Sequence, residues 1–347
     1  MRSPAEHQAK ARNDLLQLVE TEHAVVWNEV EAKLTEENRA REDANFAHVL
    51  TDARHILTDA GLIVPNTETA RGGTSIETFT PADLTNRATK VKTAAARKRL
   101  LMARYRGWAS GNATYPHGLI GPAGEVAVRQ ALVEAGNLSL STPGAGEVRN
   151  ILGTSLNGSL DSGGWLPVMN SQGLLEATIY IPIEVKNVRD WLYPQSSEVF
   201  QLLSKAAQLQ RGAPTTLIHP VLICRRANYT LFFMAKQLGF RVHITQQQYI
   251  RAAPEPQLAE IRTELGFTDL MPIEAGKAVP NLLRFFRHTL QKSAIEAAHT
   301  WQETVLKHNF DVHFQTLRDH SLRFPHREPH MTAFRTAVHE AGLQGGW

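Results

Sequence analysis

The chain is 347 residues long, with 42% hydrophobic and 20% charged residues. Those proportions suit a folded globular protein of two or three domains and argue against general disorder and a membrane class. Its 37 Lys and Arg against 34 Asp and Glu leave a formal charge of +3, which permits nucleic-acid binding without establishing it.

Met1 to Asp14 mixes charged with polar residues and lacks the unbroken apolar stretch of a secretory signal, and no later run has the length to span a bilayer. Cys224 is the single cysteine, so neither an internal disulfide nor a cysteine-based zinc site is expected. Together these features predict a cytoplasmic protein with no membrane partner.

From about Ala5 to Ile63 the spacing predicts helices: Leu15, Leu18, Val19 and then Val26, Val30, Leu34 recur at three- and four-residue intervals, with a break over Glu36 to Asn45. The next helical run starts at Phe46 and stops at Gly61, a residue suited to a left-handed cap. Leu62–Pro65 and Ser75–Phe79 are β-prone and flank Arg71-Gly72-Gly73, so a hairpin is expected after the helices. Helices followed by a hairpin resemble a winged helix; a generic helical cap with a loop is the alternative. Residues 1–83 thus form a first region.

Thr80-Pro81-Ala82-Asp83 predicts a helix start, and Leu84 to Ala109 a helix. That helix carries Arg87, Lys90, Lys92, Arg97, Lys98, Arg99, Arg104 and Arg106 with no acid among them. Residues 84–120 therefore read as a basic helix and connector. Its cations are candidate phosphate contacts, with Tyr105 and Trp108 as candidate base or sugar contacts.

Residues 121–250 change texture. A short helix, Gly124–Gly136, precedes strands at Val148–Leu152, Ser159–Asp161, Trp165–Met169 and the strongly apolar Ala177–Lys186. A helix at Ser196–Leu209 follows, then strand, helix and strand at Thr215–Cys224, Tyr229–Leu238 and Arg241–Thr245. Beyond Ile250, Pro254 and Pro256 mark a linker, and 251–347 is a helical C-terminal region. Its His299, His308, His313, His320, His326, His330 and His339 lack the paired spacing of a zinc module, so surface or packing roles are expected. No G-x-x-x-x-G-K-[ST] run is present.

The densest chemistry is Ile183-Glu184-Val185-Lys186-Asn187, at the end of an apolar strand. Glu184 and Lys186 are two residues apart and share one face of that strand. Asp161, in Gly158-Ser-Leu-Asp161, lies on a strand able to bring a second carboxylate beside Glu184. Glu125 opens the preceding helix, and Gln201, Lys205 and Gln208 lie on the following one. Helix with Glu, strand with Asp, strand with E-x-K, helix with Gln, then strand-helix-strand: this order resembles the PD-(D/E)XK nuclease superfamily over about Gly121 to Ile250.

The resemblance implies an α/β (α+β) chain. Its restriction-endonuclease-like core has a mixed central sheet flanked by helices, with helical N- and C-terminal regions around it. It implies Mg²⁺ or Mn²⁺ held by Asp161, Glu184 and the Val185 carbonyl, with Glu125 at a second metal or an ordered water. Lys186 orients the attacking water or stabilises developing charge, and Gln201 and Lys205 lie near the site or the phosphate backbone. Hydrolysis of a phosphodiester needs charge neutralised on a nonbridging oxygen and an activated water, which hard oxygen ligands and their ion supply. The chain departs from the family in having Leu160, where proline is frequent, before Asp161. The interval from Asp161 to Glu184 is also long, which leaves Glu176 and Glu147 as alternative partners.

The expected activity is that of a metal-dependent endonuclease, acting on DNA in restriction, defence, repair or recombination, and a homodimer is compatible with it. One alternative is a nuclease fold that binds nucleic acid without cutting it. Another is a helical regulatory or interaction protein in which E-x-K is only a salt bridge. That last reading predicts no parallel pairing between the strands of Ile183 and Val221 and no convergence of acidic residues.

Overall fold

A computed structural model describes residues 3–36, 38–40, 42–69, 73–323, 325–343 and 347. The chain divides into two compact units, Met1–Leu119 with Arg251–Pro272, and Ile120–Ile250 with Ile273–Trp347. The architecture is mixed α/β.

The first unit opens with α1 (Pro4–Glu22), whose first turn is closed by a reciprocal capping box between Ser3 and Glu6. Its Ala11, Leu15 and Val19 repeat every four residues, so one stripe is buried. The helical period does not run through to Val26. His23 adopts φ 63°, and Val25 exchanges backbone hydrogen bonds with Phe79, so the chain breaks before α2 (Trp27–Leu34). After α3 (Ala47–Asp59) comes Gly61 at φ +65°. Strands β1 (Ile63–Thr69) and β2 (Ser75–Pro81) then pair antiparallel from Ile63↔Pro81 to Thr69↔Ser75. Arg71 and Gly72 of the expected turn lie outside the described residues. Thr80 and Pro81, expected to open a helix, instead finish β2, and α4 (Ala88–Ser110) starts seven residues later than Pro81.

The second unit begins with α5 (Gly121–Ala135), β3 (Ser139–Leu140), β4 (Val148–Ile151), β5 (Thr154–Leu160), β6 (Ser162–Met169) and β7 (Leu175–Lys186). It continues through α6 (Ser197–Gly212), β8 (Val221–Cys224), α7 (Tyr229–Leu238), β9 (Arg241–Ile244) and β10 (Gln248–Ile250). A five-stranded mixed sheet has the order β3-β6-β7-β8-β9: β3, β6 and β7 pair antiparallel, whereas β7, β8 and β9 run parallel. Strand β7 is central and covered on both faces, which explains its unbroken apolar run. Its Ile179, Ile181 and Ile183 face a core shared with Ala127, Val128, Ala131 and Leu132 of α5. Tyr180, with Leu222 of β8, faces the opposite core, built on Phe200, Leu203 and Ala207 of α6.

Next, α8 (Glu255–Glu264) belongs to the first unit. Pro254 and Pro256, the expected linker, open this helix, because a first-turn proline forfeits only an N–H that has no helical partner. After β11 (Leu270–Pro272), helices α9 (Pro280–Arg284), α10 (Ala294–His308), α11 (Asp311–Leu317) and α12 (Arg327–Glu340) complete the second unit. Trp301, Phe314 and Phe334 from the last three join the core on the α6 side. No helix among the described residues is long and apolar enough to cross a membrane.

Candidate active site

Strand β7 delivers Glu184 and Lys186 to the face covered by α6, at the end where β7 and β8 run side by side in the register Ile183↔Val221 and Glu184↔Leu222. Glu184 is almost fully buried. Lys186 Nζ donates to Glu184 Oε1 at 2.9 Å, and Lys205 Nζ from α6 donates to both carboxylate oxygens at 3.1 and 2.8 Å. Lys205 also donates to the Ser159 carbonyl at 2.6 Å. A carboxylate taken out of water is tolerable when ammonium groups face it at such distances. The sequence pattern predicts Lys205 near the site or the phosphate backbone. It is buried within the site instead of open to a phosphate, because its stem inserts between α6 and β5 to reach Glu184.

Asp161 occupies the bend between β5 and β6, one residue before the pairing of Ser162 with Ile183. That register sets it beside the end of β7, where its Oδ2 accepts from the Val185 N–H at 2.6 Å. Its carboxyl is pushed up to about 7, first by burial and then by the charge of Glu184. Lys186 and the Val185 N–H oppose the rise, and Glu125 adds to it. Burial draws Lys186 down, but Glu184 and Asp161 outweigh that effect and hold it above the ordinary lysine value. Lys186 is therefore a cation at neutral pH, suited to stabilising negative charge and not to removing a proton from water.

The first turn of α5 lies against the end of β7: a Cβ at Gly124 would come 2.5 Å from Asn187 Cβ. Asn187 is itself clamped. Its Nδ2 donates to the carbonyls of Ile120 and Tyr249, and its Oδ1 accepts from the Tyr249 N–H. This arrangement brings Glu125 into the field felt by Asp161, yet from the layer opposite α6, and Glu125 accepts from Arg129 at 3.0 Å. Glu176 sits at the far end of β7, and Glu147 is exposed just before β4.

Gln201 lies one turn before Lys205 on α6 and contacts His320 Nε2, while Ser197 Oγ pairs with His320 Nδ1 at 2.8 Å. Glu198 is 4.0 Å from His320 and also acts on Lys186. Glu198, Gln201 and Lys205 recur at three- and four-residue spacing on one face of α6, and that spacing is the signal that would have found Glu198. His320, separated by more than a hundred residues, carries no such local signal. Elsewhere in the C-terminal segment, His308 stacks near Phe310, and His313 lies tilted beside Phe334.

The basic helix α4 does not present an open cationic stripe. The acids that face it come from other elements of the first unit. Arg97 grips Glu264 of α8 through two hydrogen bonds and also meets Glu260; Arg104 pairs with Glu260. Lys98 is buried between Glu22 and Glu29, Arg99 pairs with Glu68, and Arg106 donates to the Ser75 carbonyl. Tyr105 and Trp108 are buried core residues. Lys90 and Lys92 stay exposed, with no ion pair among the described residues.

The carboxylates of Asp161 and Glu184 lie within electrostatic reach of each other. Among the described residues no group of three or more His, Cys, Asp or Glu is placed to hold a metal ion. Two carboxylates still fit Mg²⁺, which is commonly held by one or two of them and keeps waters or substrate phosphate as its other ligands. Compared with family models, with curated proteins and with solved structures, the chain matches none.

Proposed function

We propose that this chain is a Mg²⁺- or Mn²⁺-dependent nuclease of PD-(D/E)XK type, hydrolysing phosphodiester bonds at Asp161, Glu184 and Lys186. The observation that carries the reading is the placement of Asp161 against the end of β7 next to the buried Glu184, at the junction of an antiparallel and a parallel strand pair. Two carboxyls that repel each other in a partly buried site gain stability when a cation joins them. The parallel register of Ile183 with Val221 and the meeting of Asp161 with Glu184 run against the view of E-x-K as a lone surface salt bridge.

Asp161, Glu184 and the Val185 carbonyl would hold the ion, which supplies charge to neutralise a phosphate oxygen and acidifies a water. Lys186, held protonated, faces the same carboxylate and stabilises negative charge that builds on the phosphate. Lys205 fixes the Glu184 carboxylate from the α6 side. DNA is the preferred substrate class in this reading, with Lys90 and Lys92 as the exposed cations of α4 left to meet phosphates.

Purified protein incubated with supercoiled, linear, branched and single-stranded DNA and with RNA, with and without divalent metal, tests the activity. Asp161→Asn, Glu184→Gln and Lys186→Met are each expected to slow cleavage by about 10²–10³-fold or more while retaining the parent's circular dichroism, since each removes a charge used in the transition state. Parental rates in Glu184→Gln would sink the proposal.

A further inference from the structure

The charges around Glu184 bear on how many ions this site takes, an inference that rests on the nuclease reading above. Lys205, on α6, is 6% exposed and its ammonium is surrounded by three oxygens: Glu184 Oε1 at 3.1 Å, Glu184 Oε2 at 2.8 Å and the Ser159 carbonyl at 2.6 Å. That is a cation seated among oxygen donors, supplied by the chain itself. Lys186 meets the same carboxylate at 2.9 Å. The site thus holds two carboxyls, Asp161 and Glu184, and two ammonium groups, both of them on Glu184. Glu125, the further acid in range, is engaged by Arg129.

A pair of divalent ions sharing Glu184 would place one of them against the Lys205 ammonium, where like charges repel strongly because little water intervenes. We infer that the Lys205 ammonium fills the place of a second cation, so that the site takes a single divalent ion shared by Asp161 and Glu184. Lys205 is then a positioning residue: it acts through Glu184, holding that carboxylate toward the ion that it shares with Asp161. The buried stem and the Ser159 carbonyl keep it in place, since leaving would strand Glu184 Oε2 and a backbone oxygen without this donor.

The test counts Mn²⁺ ions bound to the full chain at pH 8 by electron paramagnetic resonance, for the parent, Lys205→Arg and Lys205→Gln. One ion is expected in the parent and in Lys205→Arg. In Lys205→Gln, a second ion is expected, or the first bound about tenfold more tightly, because a unit positive charge has been removed beside it. Two ions in the parent overturn the inference, as does an unchanged count and affinity in Lys205→Gln. Should Lys205→Gln fail to fold, two ions in either the parent or Lys205→Arg still overturn it. Absence of Mn²⁺ from all three overturns this inference and the nuclease reading together, whereas two ions with metal-dependent cleavage overturn the inference alone.

Discussion

In the proposed site, Asp161 links protonation to both stability and ion binding. Its folded-state value of about 7 lies above the ordinary 3.8, so the proton favours the fold. That contribution is complete below about 3.8 and is lost as pH rises through about 7. In the absence of divalent metal, the chain should therefore lose stability between those limits on account of this group. An ion that binds the ionised pair reverses the effect, so Mg²⁺ should raise the melting temperature more at pH 8 than at pH 5. Each kcal/mol gained corresponds to about 2–4 °C for a unit of the size of the second one. Asp161→Asn should melt higher than the parent at pH 8 without metal and show no Mg²⁺ shift. Thermal melts across pH with and without Mg²⁺ check this; an equal shift at both pH values, or a shift retained in the variant, would show that Asp161 is not part of the ion site.

At the scale of elements, two contacts decide whether the site and the first unit hold their shape. Gly124 lets the first turn of α5 approach Asn187, and a methyl group there meets the Asn187 side chain at 2.5 Å with Asn187 already bound on both sides. Gly124→Ala should cost about 1–3 kcal/mol in chemical unfolding, while Gly121→Ala, which meets nothing within 4 Å, should not.

In α4, Lys98 lies between Glu22 and the fully buried Glu29. Burial raises the Glu29 carboxyl, while Lys98 and Lys33 oppose the rise. Lys98→Met removes one support from this buried network and should destabilise the first unit by about 3–5 kcal/mol. Charge reversal at Lys90 and Lys92 should instead leave the melt unchanged. It should flatten the salt dependence of nucleic-acid binding by about one unit of slope for each phosphate that is no longer neutralised. An equal salt slope in parent and reversed protein would show that this end of α4 does not touch the backbone.

Across the whole molecule, the second unit is legible in the sequence where chemistry and periodicity coincide. The apolar run into Glu184-Val185-Lys186 marks a central strand, Tyr229–Leu238 reads as the helix it is, and the two-residue step puts Glu184 and Lys186 on one face. The ion pairs are not legible, because they join distant segments: the acids that neutralise α4 come from α1, α2, β1 and α8, and Lys205 turns inward to a carboxylate 21 residues away. Charge composition within one helix says nothing of what packs against it. Pro254 and Pro256 mislead for a related reason, since proline marks a helix start as readily as a linker.

The central claim is that Asp161, Glu184 and Lys186 cut a phosphodiester with the help of a divalent ion. Single-turnover cleavage of supercoiled DNA by the parent and by Glu184→Gln, with saturating Mg²⁺ and with chelator, tests it most directly. The substitution keeps the shape of the side chain while removing the charge. Cleavage by the parent that stops with chelator and falls by about 10²–10³-fold in the variant is the expected result; cleavage that needs no divalent ion, or that proceeds equally in both proteins, would contradict it.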